Sequence, residues 1–128
     1  MKIHKIINLV AFENTYILEN DQGLLVVDPG SDWKKIERKL EELAKPVIAI
    51  LLTHTHYDHI MSLEKVREHY AAPPVYVAES ESSWLYTPTD NLSGLARHAD
   101  LDDIICRPAE EFFSYETCLL YTSPSPRD

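Results

Sequence analysis

The sequence predicts an α/β layered sheet with right-handed crossovers, and three observations lead there. Short apolar runs rich in Ile, Val and Leu recur at 24–28, 47–53 and 75–78, a length that suits buried strands. Between them lie two stretches, one from Asp32 and one from Ile60, whose apolar residues repeat at helical spacing. Two further strand-like segments, 3–10 and 15–18, come first. The order is therefore a strand meander followed by strand–helix–strand–helix–strand.

Each element has its own local signal. "ENDQG" (19–23) is a polar turn, "LLVVD" (24–28) a buried strand, and "PGS" a break. In the first helix Trp33, Ile36, Leu40 and Leu43 form one stripe, while Lys34, Lys35, Glu37, Arg38, Lys39, Glu41 and Glu42 fill the other faces. Lys45-Pro46 stops it, because the residue before a proline is pushed out of the helical region. "VIAILLT" (47–53) is the next strand, and Ile60, Leu63, Val66 and Tyr70 mark a second amphipathic helix starting near His59. Pro73-Pro74 ends that helix and "VYVA" (75–78) follows as a strand. Beyond residue 79 the pattern weakens: "ESESSWLY" reads as one helical turn or two, "TPTDNLSG" is turn-rich, and 99–113 has no clear period. The ending "CLLYTSPSPRD" (118–128) has neither period and resembles adaptor-derived endings of truncated reading frames. It is read as an unrelated or disordered tail after one domain over 1–117.

Composition narrows the function classes. A chain of 128 residues that is 45% hydrophobic and 26% charged is a single globular domain. Lys and Arg number 12 against 21 Asp and Glu, a net charge of -9, which disfavours nucleic acid and an anionic membrane as partners. Cys106 and Cys118 are the only cysteines, too few for a disulfide framework, which points to a reducing compartment. The opening "MKIHKIINLVAFENT" is too interrupted for a signal peptide, and no apolar run approaches transmembrane length. A cytoplasmic protein is expected.

The densest chemistry is "HTHYDH" at 54–59, directly after the 47–53 strand. In an extended segment alternate side chains share a face, so His54 and His56 project the same way, about 7 Å apart. Two imidazoles so placed converge on one ion. If the chain then turns into a helix, Asp58 and His59 reach the same crevice from another direction and hold a second ion. Mixed nitrogen and carboxylate ligands suit zinc and tolerate iron or manganese. The competing reading is a solvated polar loop. His4, His69 and His98 each stand alone and read as surface or satisfied core residues.

"THTHYDH" (53–59) resembles the T-H-x-H-x-D-H signature of the metallo-β-lactamase superfamily, and "LLVVDPG" (24–30) resembles the family's earlier strand ending in aspartate and glycine. The likeness runs to about residue 117. It implies an αββα sandwich, of which this chain is the incomplete N-terminal portion, with a one- or two-metal site at the sheet edges. On that resemblance His54 and His56 bind the first metal, and Asp58 and His59 the second. Asp58 is also the catalytic residue that orients the attacking water. Asp28 matches a buried aspartate bracing the ligand loop, and reads equally as a turn or cap aspartate before Pro29-Gly30. Thr53 supports the turn, and Tyr57 lies either in the core or at the pocket lip.

The family completes its site with a third histidine, a bridging aspartate and a final histidine from later in the chain. Neither His69 nor His98 sits in a matching segment. Two imidazoles alone make a weak site, and half a sandwich leaves one sheet face and one edge uncovered. The 128-residue chain alone is therefore expected to be inactive or nearly so. "WLYTPTDNLSG" (84–94) is similar to a segment of small bacterial glyoxalase II-like hydrolases. The similarity implies a thioester hydrolase acting on a small-molecule substrate, with two zinc ions expected in the intact protein and Trp84, Tyr86, Asn91 and Ser93 at the lip of the substrate pocket. A turn-rich surface loop is the other reading. Alternatives on the same fold are a nuclease, disfavoured by charge, and a mononuclear iron oxidoreductase such as a persulfide dioxygenase. A metal-binding remnant without activity is a further alternative.

Overall fold

The computed structural model describes residues 1–88, 90–91, 93 and 104–113. The predicted tail at 118–128, with Cys118, and His98 lie outside the described residues. One six-stranded sheet has its strands in chain order. These are β1 (Lys2–Ile7), β2 (Asn14–Glu19), β3 (Leu24–Val27), β4 (Val47–Leu51), β5 (Val75–Ala78) and β6 (Glu111–Phe113). The first three pair antiparallel, and β3 to β6 run parallel. Helix α1 (Trp33–Leu43) crosses from β3 to β4, and α2 (Tyr57–Ile60) with α3 (Leu63–His69) crosses from β4 to β5.

Register places one apolar row across four strands. Ile17 pairs with Val26, Val26 with Ile50, and Ile50 with Val75, and all four are fully buried. Against this row pack Ile36 and Leu40 of α1 and Leu63 and Val66 of α3, the stripes expected from helical spacing. Removing such side chains from water stabilises the fold by about 1.5–3 kcal/mol each. The opposite sheet face carries Ile3, Ile7, Ile48 and Tyr76, all exposed, and β1 forms one edge of the sheet. The sequence reading expects both an apolar face and a sheet edge left uncovered, and among the described residues both are present.

Two boundaries differ from the sequence reading. The first strand stops at Ile7 because Asn8 turns inward: its backbone N–H donates to the Glu13 carbonyl, and its amide donates to Glu13 and Thr15. The loop it closes holds Ala11 and Phe12 at positive φ. The second helix is two pieces, because Ser62 bonds elsewhere. Its N–H donates to the Pro29 carbonyl at 3.0 Å, and its hydroxyl donates to the Gly30 carbonyl. After β5 the chain forms a 3-10 segment, Glu79–Tyr86. The stretch without a period ends in a short strand, β6.

Among the described residues, no helix is long and apolar enough to cross a membrane. Buried Arg67 ties 104–110 to α3 by donating to the carbonyls of Arg107 and Pro108 at 2.7 and 2.6 Å.

Candidate metal centre

The parallel register of β3 and β4 sets Val27 beside Leu51, so the residues that follow each strand meet. Asp28 takes a left-handed backbone (φ 55°), a conformation that costs a non-glycine residue energy and persists only where its surroundings fix it. Here its N–H donates to the Leu51 carbonyl at 3.0 Å, and its carbonyl accepts from the Thr15 hydroxyl at 2.8 Å. Its carboxylate then receives the Thr53 N–H at 2.7 Å and the Thr53 hydroxyl. These bonds tie Asp28, at the end of β3, to Thr53, at the start of the histidine loop.

Past Thr53 the alternation holds. Thr55 points inward and is fully buried, its N–H donating to Glu81 Oε1 at 3.0 Å. His54 and His56 flank it, with ring centroids 6.1 Å apart and planes 12° from parallel. The chain then enters α2, which brings His59 edge-on to His54 at 5.1 Å. Asp58 Oδ2 lies 3.5 Å from His59 Nε2. All four predicted ligand residues therefore gather at the carboxyl end of β4, where open α/β sheets place their ligands.

A second layer lies beneath His59. Among the described residues, the three with ligand atoms within 4.8 Å of one another are Glu13, Asp28 and His59. His59 Nδ1 is 3.1 Å from Asp28 Oδ2 and 3.4 Å from Glu13 Oε2. Glu13 is buried, and its Oε1 accepts from the Asn8 amide at 2.9 Å. Its Oε2 and His59 Nδ1 complete no hydrogen bond among the described residues. Burial, helped by the charges of Asp28 and Asp58, pushes the Glu13 carboxyl up to about 9, against hydrogen bonds from Asn8 and Thr15. Burial disfavours the charged form of His59, but the carboxylates of Asp28, Asp58 and Glu81 outweigh it and raise its pKa. Sequence reasoning missed Glu13 and Glu81, since nothing local marks either as buried.

The segment after β5 forms the rim. Trp84 stacks on His56, centroids 5.6 Å apart and planes within 5°, and Tyr86 is exposed. Tyr57 is half-buried, and its N–H donates to the Asn91 carbonyl at 2.7 Å. Asn91 and Ser93, expected at the pocket lip, are instead buried behind it. The Asn91 amide donates to the carbonyls of Trp84 and Ile104, and its oxygen accepts from the Ser93 hydroxyl. Their polar groups hold the segment together. His4 pairs with Glu19 at 2.9 Å and His69 lies against Trp33, both outside this cluster. Burial pushes the Cys106 thiol up to about 12, which makes it a packing residue and a poor ligand.

The donor set fits a divalent cation. Neutral imidazoles and a carboxylate suit zinc, and a ligating histidine usually gives its other N–H to a carboxylate, which Asp28 and Glu13 offer here.

Relatives agree with this chemistry. The Metallo-beta-lactamase superfamily profile matches residues 9–116. A probable metallo-hydrolase of Streptococcus pyogenes is 58% identical over 113 residues, covering 88% of this chain and 49% of that protein. A hydroxyacylglutathione hydrolase of Xanthomonas campestris is 37% identical over 76 residues, covering 57% of this chain and 29% of its own length. Among solved structures, the BLEG-1 B3 metallo-beta-lactamase superposes with a TM-score of 0.76 at 30% identity, over 88% of this chain and 53% of that one. The chain spans about half the length of the streptococcal relative. With the profile covering most of its residues, and the same sheet carrying H-x-H-x-D-H at a strand end, the chain belongs to the metallo-beta-lactamase superfamily.

Proposed function

We propose that this chain carries the N-terminal part of a metal-dependent hydrolase site, of glyoxalase II-like type, for thioester or related acyl substrates. The observation that carries the reading is the convergence of His54, His56, Asp58 and His59 at the end of β4, with Trp84 stacked on His56. His54 and His56 would hold one zinc ion and Asp58 and His59 a second, with iron or manganese as other occupants. When bound, such ions polarise the acyl carbonyl and make water a nucleophile at neutral pH. Asp58 orients the attacking water, and the Asp28–Thr53 brace keeps the histidine loop in place. Trp84, Tyr86 and Tyr57 form an aromatic rim for a small substrate, held from behind by Asn91 and Ser93. The thioester assignment draws support from the hydroxyacylglutathione hydrolase relative. A net charge of -9 argues against a nucleic-acid substrate. Cytoplasmic location is part of the proposal.

The test joins residues 1–113 to the second half of the streptococcal relative. The expected result is zinc uptake and thioester hydrolysis that fall away in His54→Ala and Asp58→Asn, while the 128-residue chain alone shows no measurable turnover. A folded, zinc-loaded chimera idle on every thioester tried would sink the reading. Bound iron with oxygen consumption would favour the persulfide dioxygenase-like alternative.

A further inference from the structure

We infer that Glu81 is a positioning residue for the histidine pair: its carboxylate grips Thr55, between His54 and His56, and sets the spacing at which the two rings meet one cation. The inference rests on the proposal above that this pair holds a metal. It assigns a role to a residue outside the H-x-H-x-D-H motif.

β4 ends at Leu51, and beyond it the backbone of the histidine loop leans on side chains from both neighbouring strand ends. On the β3 side, Asp28 accepts from both the N–H and the hydroxyl of Thr53. On the β5 side, Glu81 repeats the pattern at Thr55. Its Oε1 accepts from the Thr55 N–H at 3.0 Å and from the Thr55 hydroxyl at 3.2 Å, and its carbonyl lies 3.2 Å from the same hydroxyl. The two threonines alternate with His54 and His56, so each carboxylate fixes a residue next to a ligand. Thr55 is fully buried and Glu81 is buried over it. A buried backbone N–H needs a partner, and here a side chain supplies it.

Glu81 is held in its turn. It lies in the 3-10 segment Glu79–Tyr86, where three residues make a turn and side chains at i and i+3 share a face. Trp84, three residues on, is the ring stacked on His56. Leu85 anchors the segment: it is fully buried, and its carbonyl accepts from the Cys106 N–H at 2.7 Å. The Trp84 carbonyl accepts from the Asn91 amide at 2.8 Å, and the Asn91 carbonyl accepts from the Tyr57 N–H. Three consecutive loop residues, Thr55, His56 and Tyr57, are thus each met by the stretch after β5, through Glu81, Trp84 and Asn91. The 6.1 Å between the His54 and His56 ring centroids is set from outside the loop.

Glu81→Asp and Glu81→Gln separate reach from charge. Aspartate keeps the carboxylate but is one methylene shorter, whereas glutamine keeps the length and an oxygen for Thr55. Two readouts apply to the 128-residue chain: hydrogen exchange of the Thr55 amide without metal, and the affinity for zinc ion alone by calorimetric titration. The Thr55 amide is expected to exchange about tenfold faster or more in Glu81→Asp than in the wild type, with Glu81→Gln close to the wild type. Zinc affinity is expected to fall about 10- to 100-fold in Glu81→Asp, the usual cost of losing support behind metal ligands, and by less in Glu81→Gln. A Glu81→Asp chain that binds zinc like the wild type overturns the inference, even if it is less stable, because Glu81 then only supports the fold. Glu81→Gln losing as much affinity as Glu81→Asp also overturns it and assigns the effect to charge. Should either variant fail to fold, the wild-type amide decides: slow exchange at Thr55 supports the grip, and exchange at the rate of an unstructured amide refutes it. A wild-type chain that takes up no zinc counts against the metal-site reading, and exchange at Thr55 still judges Glu81.

Discussion

Trp84 lies flat on His56, with ring centroids 5.6 Å apart and planes 5° from parallel. A ring stacked this way reports on what its neighbour binds. In a Trp33→Phe background, Trp84 is the sole tryptophan, and its emission is expected to change saturably as zinc is added. A flat fluorescence titration, with zinc bound by an independent measure, would remove His56 from the ligand set. Trp84→Ala should weaken zinc binding by about 2- to 10-fold, since an aromatic pair contributes about 0.5–1.5 kcal/mol beyond its burial.

Gly30 sits against the inner wall of the site. A methyl group there would meet Glu13 Oε1 at 2.1 Å and the Asn8 amide nitrogen at 2.6 Å. Both atoms belong to buried, hydrogen-bonded side chains and have nowhere to retreat. Gly30→Ala is expected to destabilise the chain by about 1–3 kcal/mol, the usual cost of overpacking. A lowered urea midpoint at unchanged slope would show it, and a wild-type midpoint would refute it.

Arg67 pins the segment bearing β6. It is buried, pairs with Glu64 at 2.6 Å, and donates to the carbonyls of Arg107 and Pro108. Hydrogen bonds from a charged group contribute about 1.5–3 kcal/mol each, so Arg67→Ala should cost about 3 kcal/mol or more. The loss should be local first, with faster protease cleavage within 104–113 before the rest unfolds. Uniform cleavage rates across the chain would contradict that.

Glu64 gives the fold an acid sensitivity of known sign. Burial opposes its charge, but the Arg107 N–H and the side chains of Arg67 and Arg107 outweigh burial and lower its pKa. Its stabilising effect is therefore full above the ordinary glutamate value, about 4.3, and is lost as pH falls through the lower folded value. The urea midpoint should drop on acidification below about pH 4. In Glu64→Gln that drop should be shallower, and parallel curves would place the sensitivity elsewhere.

Much of the frame was legible because periods do not depend on distant partners. The runs at 24–28, 47–53 and 75–78 and the stripe Trp33–Ile36–Leu40–Leu43 declared their elements locally. The motif was legible for the same reason, since alternation alone sets His54 and His56 on either side of buried Thr55. What escaped was decided far along the chain. Ser62 breaks the second helix because it bonds to Pro29 and Gly30. The β6 pairing leans on Glu110 accepting from the Val75 N–H and on the Arg67 clamp. Glu13 and Glu81 read as surface acids, because carboxylates are seldom buried. Only the fold reveals the ring and the threonine they face.

The hydrogen bonds from Thr53 to Asp28 have a consequence for the order of events at the centre. They join the ends of two neighbouring strands through protein atoms alone, so the histidine loop takes its shape before any ion arrives. A cation entering there would lose less of its affinity to ordering the chain than at a loop without that anchor. Chelation should then empty the centre and leave the sheet standing, the reverse of small domains that unravel when their metal leaves.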